Sequence, residues 1–257
     1  MPQPPRKPRE TLQVLRYDPA RNKLRVVVGN RRARWPRAKL IELAAAAMNE
    51  DSFVCHTTSD DAELPGDQIC LIPRGDHCEV LSIHTDGHHR HYGDHRRGLV
   101  EILNDIAAAV ARGRLHFLDD RQLTRTVNAG QEILALSIDD SGSLAGARQA
   151  VDMVLKRRRV AAKTRGRMVL CVSEATTNIL MHGGGSGTMS LRLLDDRLRA
   201  IVSDSGPGLD FLDWTDTGAA HDRASMGYGY KLILDNLDEV YLHTASEGTT
   251  LILDHTI

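Results

Sequence analysis

The sequence predicts an α+β protein in two parts: an N-terminal α+β domain of unknown type, then a two-layer α/β sandwich. Short strand-like runs mixed with two isolated helical stretches precede residue 113. Two long amphipathic helical stretches, followed by a run of paired strands, come after residue 131. The chain has 257 residues, the length of one large or two small domains. At 41% hydrophobic residues it is too apolar for disorder along its whole length, and no apolar run approaches the ~18–20 residues that span a bilayer.

Residues 1–10 (MPQPPRKPRE) are proline-rich and basic, lack the apolar stretch of a secretory signal, and read as a disordered tail. An N-terminal domain over 11–113 follows. Its strand candidates are Leu12–Tyr17, Leu24–Val28, Phe53–Thr57, Gln68–Ile72 and Glu79–His84, separated by turn residues such as Pro65-Gly66 and Gly75-Asp76. Its helices are expected over Pro36–Asn49, with proline near the first turn, and Leu99–Ala111, with Gly113 as a stop signal. Residues 114–130 mix charged and small residues and read as a partly helical connector. The second domain, 131–257, opens on a strand at Ile133–Ile138 and continues with helices over Ala145–Arg158 and Ala161–Met181. Strands at Met189–Leu194 and Leu198–Ser203, a polar loop over Asp204–Ser225, a helix over Tyr230–Leu237 and strands at Glu239–His243 and Thr249–Leu253 complete it.

Residues 1–50 carry twelve Lys/Arg and four Asp/Glu, a charge of +8 that the remainder balances to a net -1. No aromatic stacking pattern accompanies the charge, so a solvated tail and basic strand edges are expected and a nucleic-acid partner is not. Cys55, Cys70, Cys78 and Cys171 are too few and too scattered for a disulfide framework, which predicts a reduced, cytoplasmic protein with no membrane segment. Six of the twelve histidines fall between His77 and His95, beside Cys78, Asp86 and Asp94. That is enough imidazole for a transition metal or a pH response, yet no C-x-x-C pair or H-E-x-x-H helix accompanies it. A polar loop is the expectation, and none of these residues is a candidate site.

Four short motifs in the second half carry chemistry. In SEATTNILMHGGG, Glu174 and Asn178 lie four apart and share one helix face, pairing a possible base with a hard amide oxygen suited to Mg²⁺. In VSDSGPG, Asp204 ends a strand, and Gly206 and Gly208 let the backbone turn and a ligand approach. A carboxylate held there can accept a hydrogen bond from an exocyclic amine. In MGYGYKLILDNL, Gly227 and Gly229 precede a helix whose free N–H groups and dipole favour phosphate, without forming a P-loop or a Rossmann fingerprint. In EGTT, Thr249 enters the last strand with a hydroxyl that can lie beside Asp204.

In this order the four motifs resemble the Bergerat (GHKL) ATP-binding fold shared by gyrase, MutL and histidine kinases. The resemblance covers residue 131 or so to the end of the chain. SEATTN followed by HGG is most similar to the anti-sigma-factor serine kinases and switch kinases of partner-switching pathways; a phospho-accepting histidine box does not precede the domain. The resemblance implies ATP and Mg²⁺ as cofactors. Asn178 would hold the metal, Asp204 the adenine amine with Thr249 beside it, and Gly206 and Gly208 the base pocket. Gly227 and Gly229 would let a lid over Leu209–Ser225 close, and Glu174 would be the general base toward a serine or threonine hydroxyl. It further implies a protein partner, either an anti-sigma-factor-antagonist-like protein or a sigma factor, and a homodimer. The alternative is a non-catalytic ATP- or ADP-binding module that sequesters a sigma factor or another regulator. Tyr230 stands where relatives carry small or aliphatic residues, and Tyr228 separates the two glycines.

Overall fold

The computed structural model describes residues 10–28, 36–57, 68–85, 103–208 and 228–257. The chain divides into two units at Arg112/Gly113. In the first, a five-stranded antiparallel sheet has the order β2-β1-β5-β4-β3. Its strands are β1 (Glu10–Asp18), β2 (Lys23–Val28), β3 (Val54–Thr57), β4 (Gln68–Arg74) and β5 (His77–Thr85). Helix α1 (Arg37–Glu50) lies between β2 and β3 in sequence, and α2 occupies residues 103–111. Glu10, assigned by sequence to the tail, is the first residue of β1.

Alternation along the strands fixes the two faces of this sheet. Leu15 and Tyr17 of β1, Ile69 and Leu71 of β4, and Cys78 and Val80 of β5 pack with Leu40, Ala44 and Ala47 of α1. The alternate positions put Arg16 and Glu79, cross-strand neighbours, on the opposite face as a buried ion pair, with Arg16 Nε donating to Glu79 Oε1 at 2.8 Å. From β4, Arg74 Nη1 donates to the Val110 carbonyl at 2.6 Å and so ties α2 to the sheet.

Two expectations fail here for reasons of pairing. Cys55 and Cys70 form a disulfide, because antiparallel β3 and β4 place them directly opposite one another. The prediction of a fully reduced chain is therefore corrected for this pair, while Cys78 and Cys171 are free and buried. Residues 114–130 are not a connector: they supply a strand and a helix to the second unit.

That unit holds a six-stranded sheet of order β6-β10-β11-β9-β8-β7. The strands are β6 (Leu115–Phe117), β7 (Gln131–Ile138), β8 (Gly187–Leu193), β9 (Arg197–Asp204), β10 (Glu239–Ala245) and β11 (Gly248–Thr256). Only β6 runs parallel to its neighbour. Helices α4 (Ser141–Arg157), α5 (Ala162–His182) and α6 (Tyr228–Asn236) form a layer against the sheet, α4 on β7, α5 chiefly on β9 and β11, and α6 on β10. Helix α4 buries Ala147, Val151 and Leu155 at four-residue steps; α5 buries Met168, Cys171, Val172, Ala175 and Ile179. The sandwich expected from the sequence is present. Helix α4 starts at Ser141 instead of Ala145 because Asp140 and Ser143 form a reciprocal capping box.

Helix α3 (Asp120–Val127) sets Leu123 and Val127 against Ile201, Ile252 and Tyr241. Arg199 joins this packing: its Nε and Nη2 donate to Asp254 Oδ1 and Oδ2 at 2.7 and 2.6 Å, and its Nη1 donates to the Thr126 carbonyl at 2.7 Å. Arg199 and Asp254 are directly opposed across β9 and β11 and both are buried.

Asp254→Ala leaves the Arg199 guanidinium buried without its counter-charge, a loss of about 3–5 kcal/mol in a urea-unfolding measurement. The Arg199→Met/Asp254→Leu double variant is expected to recover most of it. His77 of the first unit is held above its ordinary 6.5, chiefly by its hydrogen bond to Glu79 and then, against burial, by Asp76. The protonated ring is thus favoured by folding, and its contribution is complete below pH 6.5 and fades as the pH rises through the raised value. The unfolding midpoint of His77→Gln is expected to lack that alkaline decline.

Candidate functional site

The site is assembled where the end of α5, the end of β9 and the β10–β11 turn converge. Helix α5 presents Glu174, half-buried, and Asn178, exposed, one turn apart. It ends at Gly183, whose N–H reaches the carbonyls of Asn178 and Ile179 at 3.0 and 2.9 Å. Gly184 and Gly185 then turn the chain toward β8 with φ of 78° and 84°. Such values suit glycine and few other residues.

Asp204 is the last residue of β9 and the centre of the arrangement. Its Oδ1 accepts from the Gly206 N–H at 3.0 Å and from the Thr249 N–H at 3.1 Å. Glycines allow the surrounding backbone to come this close. A Cβ on Gly183 would stand 2.7 Å from the Asp204 Cβ, and one on Gly206 would stand 2.6 Å from the Gly183 carbonyl carbon. On the other side, a Cβ on Gly248 would stand 2.1 Å from the Asp204 carbonyl oxygen. Thr249 and Thr244 exchange a hydroxyl hydrogen bond at 3.2 Å, and Gly208 packs against Ala245 of the same hairpin.

Of the residues singled out by sequence, Asp204, Gly206 and Thr249 are thus joined by hydrogen bonds, with Gly208 two residues further along the same loop. Gly229 lies in α6 against Glu174: a Cβ there would stand 2.9 Å from the carboxylate Oε2. Asn178 shares a face with Glu174. Gly227 and the lid residues Leu209–Ser225 lie outside the described residues, as do His88, His89, His91 and His95. Sequence reasoning missed Gly183 and Gly248 as site residues. Both stood inside quoted motifs, but their role is a contact with a distant strand end.

The arrangement fits a nucleotide on its donor chemistry. With Oδ1 held by two backbone N–H groups, the second oxygen of Asp204 is left to accept from an amine, in a pocket wall of glycine backbone. For Mg²⁺, Asn178 offers one hard oxygen. Among the described residues no group of three or more His, Cys, Asp or Glu side chains is placed to hold a metal.

Residues 138–254 match the family of histidine kinase-like ATPase domains. The matched residues include Glu174, Asn178, Asp204, Gly206, Gly208 and Thr249. Among solved structures, the chain is similar to the SiaB-SiaC complex from Pseudomonas aeruginosa at 12% identity, covering 52% of this chain and 95% of that one, with a TM-score of 0.40. It is similar to the RsbU and RsbW domains of a Mycobacterium tuberculosis protein at 12% identity, covering 96% and 64%, with a TM-score of 0.37. A blue-light activated histidine kinase from Erythrobacter litoralis gives 17% identity, coverage of 96% and 95%, and a TM-score of 0.30. No curated protein matches the chain. Among the described residues no helix is long and apolar enough to cross a membrane.

The glycine contacts give a paired prediction. Gly183→Ala forces its methyl group into Asp204 and is expected to cost about 1–3 kcal/mol of stability by thermal unfolding. Gly146→Ala, in open space on α4, is expected to be neutral or to stabilise by up to about 1 kcal/mol.

Proposed function

We propose that the protein is an ATP-dependent serine/threonine protein kinase of the partner-switching type, acting in the cytoplasm on a small antagonist-like regulatory protein. The observation that carries this reading is the Asp204 carboxylate, with one oxygen held by the Gly206 and Thr249 N–H groups and the other left for a ligand. In this reading the free oxygen accepts from the adenine amine, and the glycine backbone of Gly183 and Gly206 lets the base lie close. Asn178 supplies an oxygen to Mg²⁺, which when bound neutralises phosphate charge. Glu174 takes the proton from the partner's hydroxyl as its oxygen bonds to the γ-phosphorus and ADP departs. Phosphoryl transfer depends mainly on positioning and charge neutralisation, so one base on the same helix face as the metal ligand is sufficient protein chemistry.

The α5 face supports this division of labour. Glu174 and Asn178 are one helical turn apart, which places base and metal ligand at neighbouring positions along one axis. The close fit of Gly229 against the Glu174 carboxylate gives α6 a direct path to the same group.

The test separates binding from chemistry. Asp204→Asn turns an acceptor into a donor toward the amine and is expected to weaken ATP binding by roughly 10–150-fold in calorimetry. Glu174→Gln is expected to keep ATP affinity while slowing transfer of labelled phosphate to an antagonist protein by about 10²–10⁴-fold. Wild-type ATP binding with no phosphate on any antagonist protein overturns the kinase reading and assigns the non-catalytic regulatory module.

A further inference from the structure

Residues 156–167 carry seven Lys/Arg and no Asp/Glu. They form the last turn of α4, the bend that follows and the start of α5. Lys156, Arg157, Arg158, Arg159 and Lys163 are exposed, and Arg167 is half-buried. None of these six side chains has an ion-pair or hydrogen-bond partner among the described residues; the seventh, Arg165, binds Asp152 at 2.6 Å.

A solvated helix end accounts for part of this charge. Lys156 and Arg157 lie at the C-terminal end of α4, where the helix dipole favours cations. It does not account for the rest. Lys163 stands in the first turn of α5, at the positive end of that dipole, with no acidic residue in the turn. Arg159 has a φ of 60° and closes α4: its N–H reaches the Lys156 carbonyl and the Val160 N–H reaches the Leu155 carbonyl, both at 3.0 Å. This Schellman closure usually carries glycine, because a side chain is disfavoured there. Charge is thus kept in this turn against two local preferences, and such departures mark positions whose side chains serve something outside the fold.

Flanking residues define the partner's chemistry. Met153, one turn before Lys156 and Arg157, is 47% exposed, and Leu170, one turn after Arg167, is 40% exposed. Exposed Met and Leu beside clustered Arg are typical of a protein interface and poorly suited to a phosphate track. Between Met153 and Leu170 there is no aromatic residue to stack on a base and no Asn or Gln to read one. Four of the six unpartnered cations are arginines, whose forked guanidinium binds carboxylates two bonds at a time. We propose that the α4–α5 turn is a docking surface for the acidic, partly apolar face of a protein partner. The proposal is independent of phosphate transfer at Asp204 and Glu174.

The test uses the full chain at physiological salt and fluorescence anisotropy with four probes. These are a peptide of Glu-Glu-Leu-Leu repeats, an all-glutamate peptide of equal length, a short DNA duplex, and vesicles of phosphatidylcholine with phosphatidylglycerol. The Glu-Glu-Leu-Leu peptide is expected to bind most tightly. Arg157→Gln/Arg158→Gln is expected to weaken it by roughly 5-fold or more, the sum of two exposed charge pairs, and Met153→Ser to weaken it as well. Arg159→Gly is expected to raise the melting temperature while weakening the peptide, a divergence that a purely structural arginine would not produce. ATP binding, measured in parallel, is expected to be unchanged in every variant, so failure here is distinct from failure of the kinase reading. Tighter binding of the duplex or the vesicles, wild-type peptide affinity in the arginine variants, or a melting temperature lowered by Arg159→Gly overturns the proposal.

Discussion

The second unit is organised around a steric constraint: the backbone must pass Asp204 on two sides without a Cβ in the way. From one side comes the end of α5 at Gly183; from the other comes the β10–β11 turn at Gly248. Both segments lie too close for any side chain, and this closeness lets Gly206 and Thr249 direct their N–H groups at one carboxylate oxygen. The carboxylate therefore has a fixed orientation before any ligand arrives, and preorganisation of this kind lowers the entropy lost on binding. The surrounding sheet and helices serve this geometry by holding three chain segments in register.

Much of this was legible as strings and order. The helical periodicity of residues such as Ala147, Val151 and Leu155, four apart, and of the apolar face of α5 pointed to the long helices, and four motifs in order pointed to the family that residues 138–254 match. Asp204, Gly206 and Thr249 were readable as candidates through the order of the four motifs, because an aspartate ahead of Gly-Pro-Gly is by itself an ordinary turn. The contacts of Gly183 and Gly248 were not readable, since each depends on which distant backbone it meets. The same limit hid the disulfide: Cys55 and Cys70 are 15 residues apart, and only the β3–β4 register sets them opposite each other.

Residues 114–130 escaped for a different reason. Strand β6 is three residues long, too short for any alternation to register, and it gains its place by parallel pairing with β10. Helix α3 (DRQLTRTV) has no fully buried residue, so its apolar signal is confined to Leu123 and Val127. Its start is instead marked by the Asp119–Gln122 capping box, and guanidinium groups hold its last turn and the segment that follows. Arg199 grips the Thr126 carbonyl, and Arg192 grips those of Ala129 and Gly130 at 2.8 and 2.9 Å. The charge of the α4–α5 turn is a matter of composition, but the backbone of Arg159 and the place of Lys163 in the first turn of α5 show that it is kept there against local preference.

The facing of Arg199 and Asp254 also disciplines assembly of the sheet. Strands β9 and β11 are rich in interchangeable aliphatic residues, so hydrophobic burial alone discriminates weakly between neighbouring alignments. If β11 slid by one residue against β9, the aspartate would turn toward the helical layer and strand the guanidinium without a counter-ion on the opposite side. Misaligned pairings of these two strands would thus be driven back to the correct one by an electrostatic penalty that the correct one escapes. An ion pair that adds little net stability can in this way serve as an error check on strand alignment.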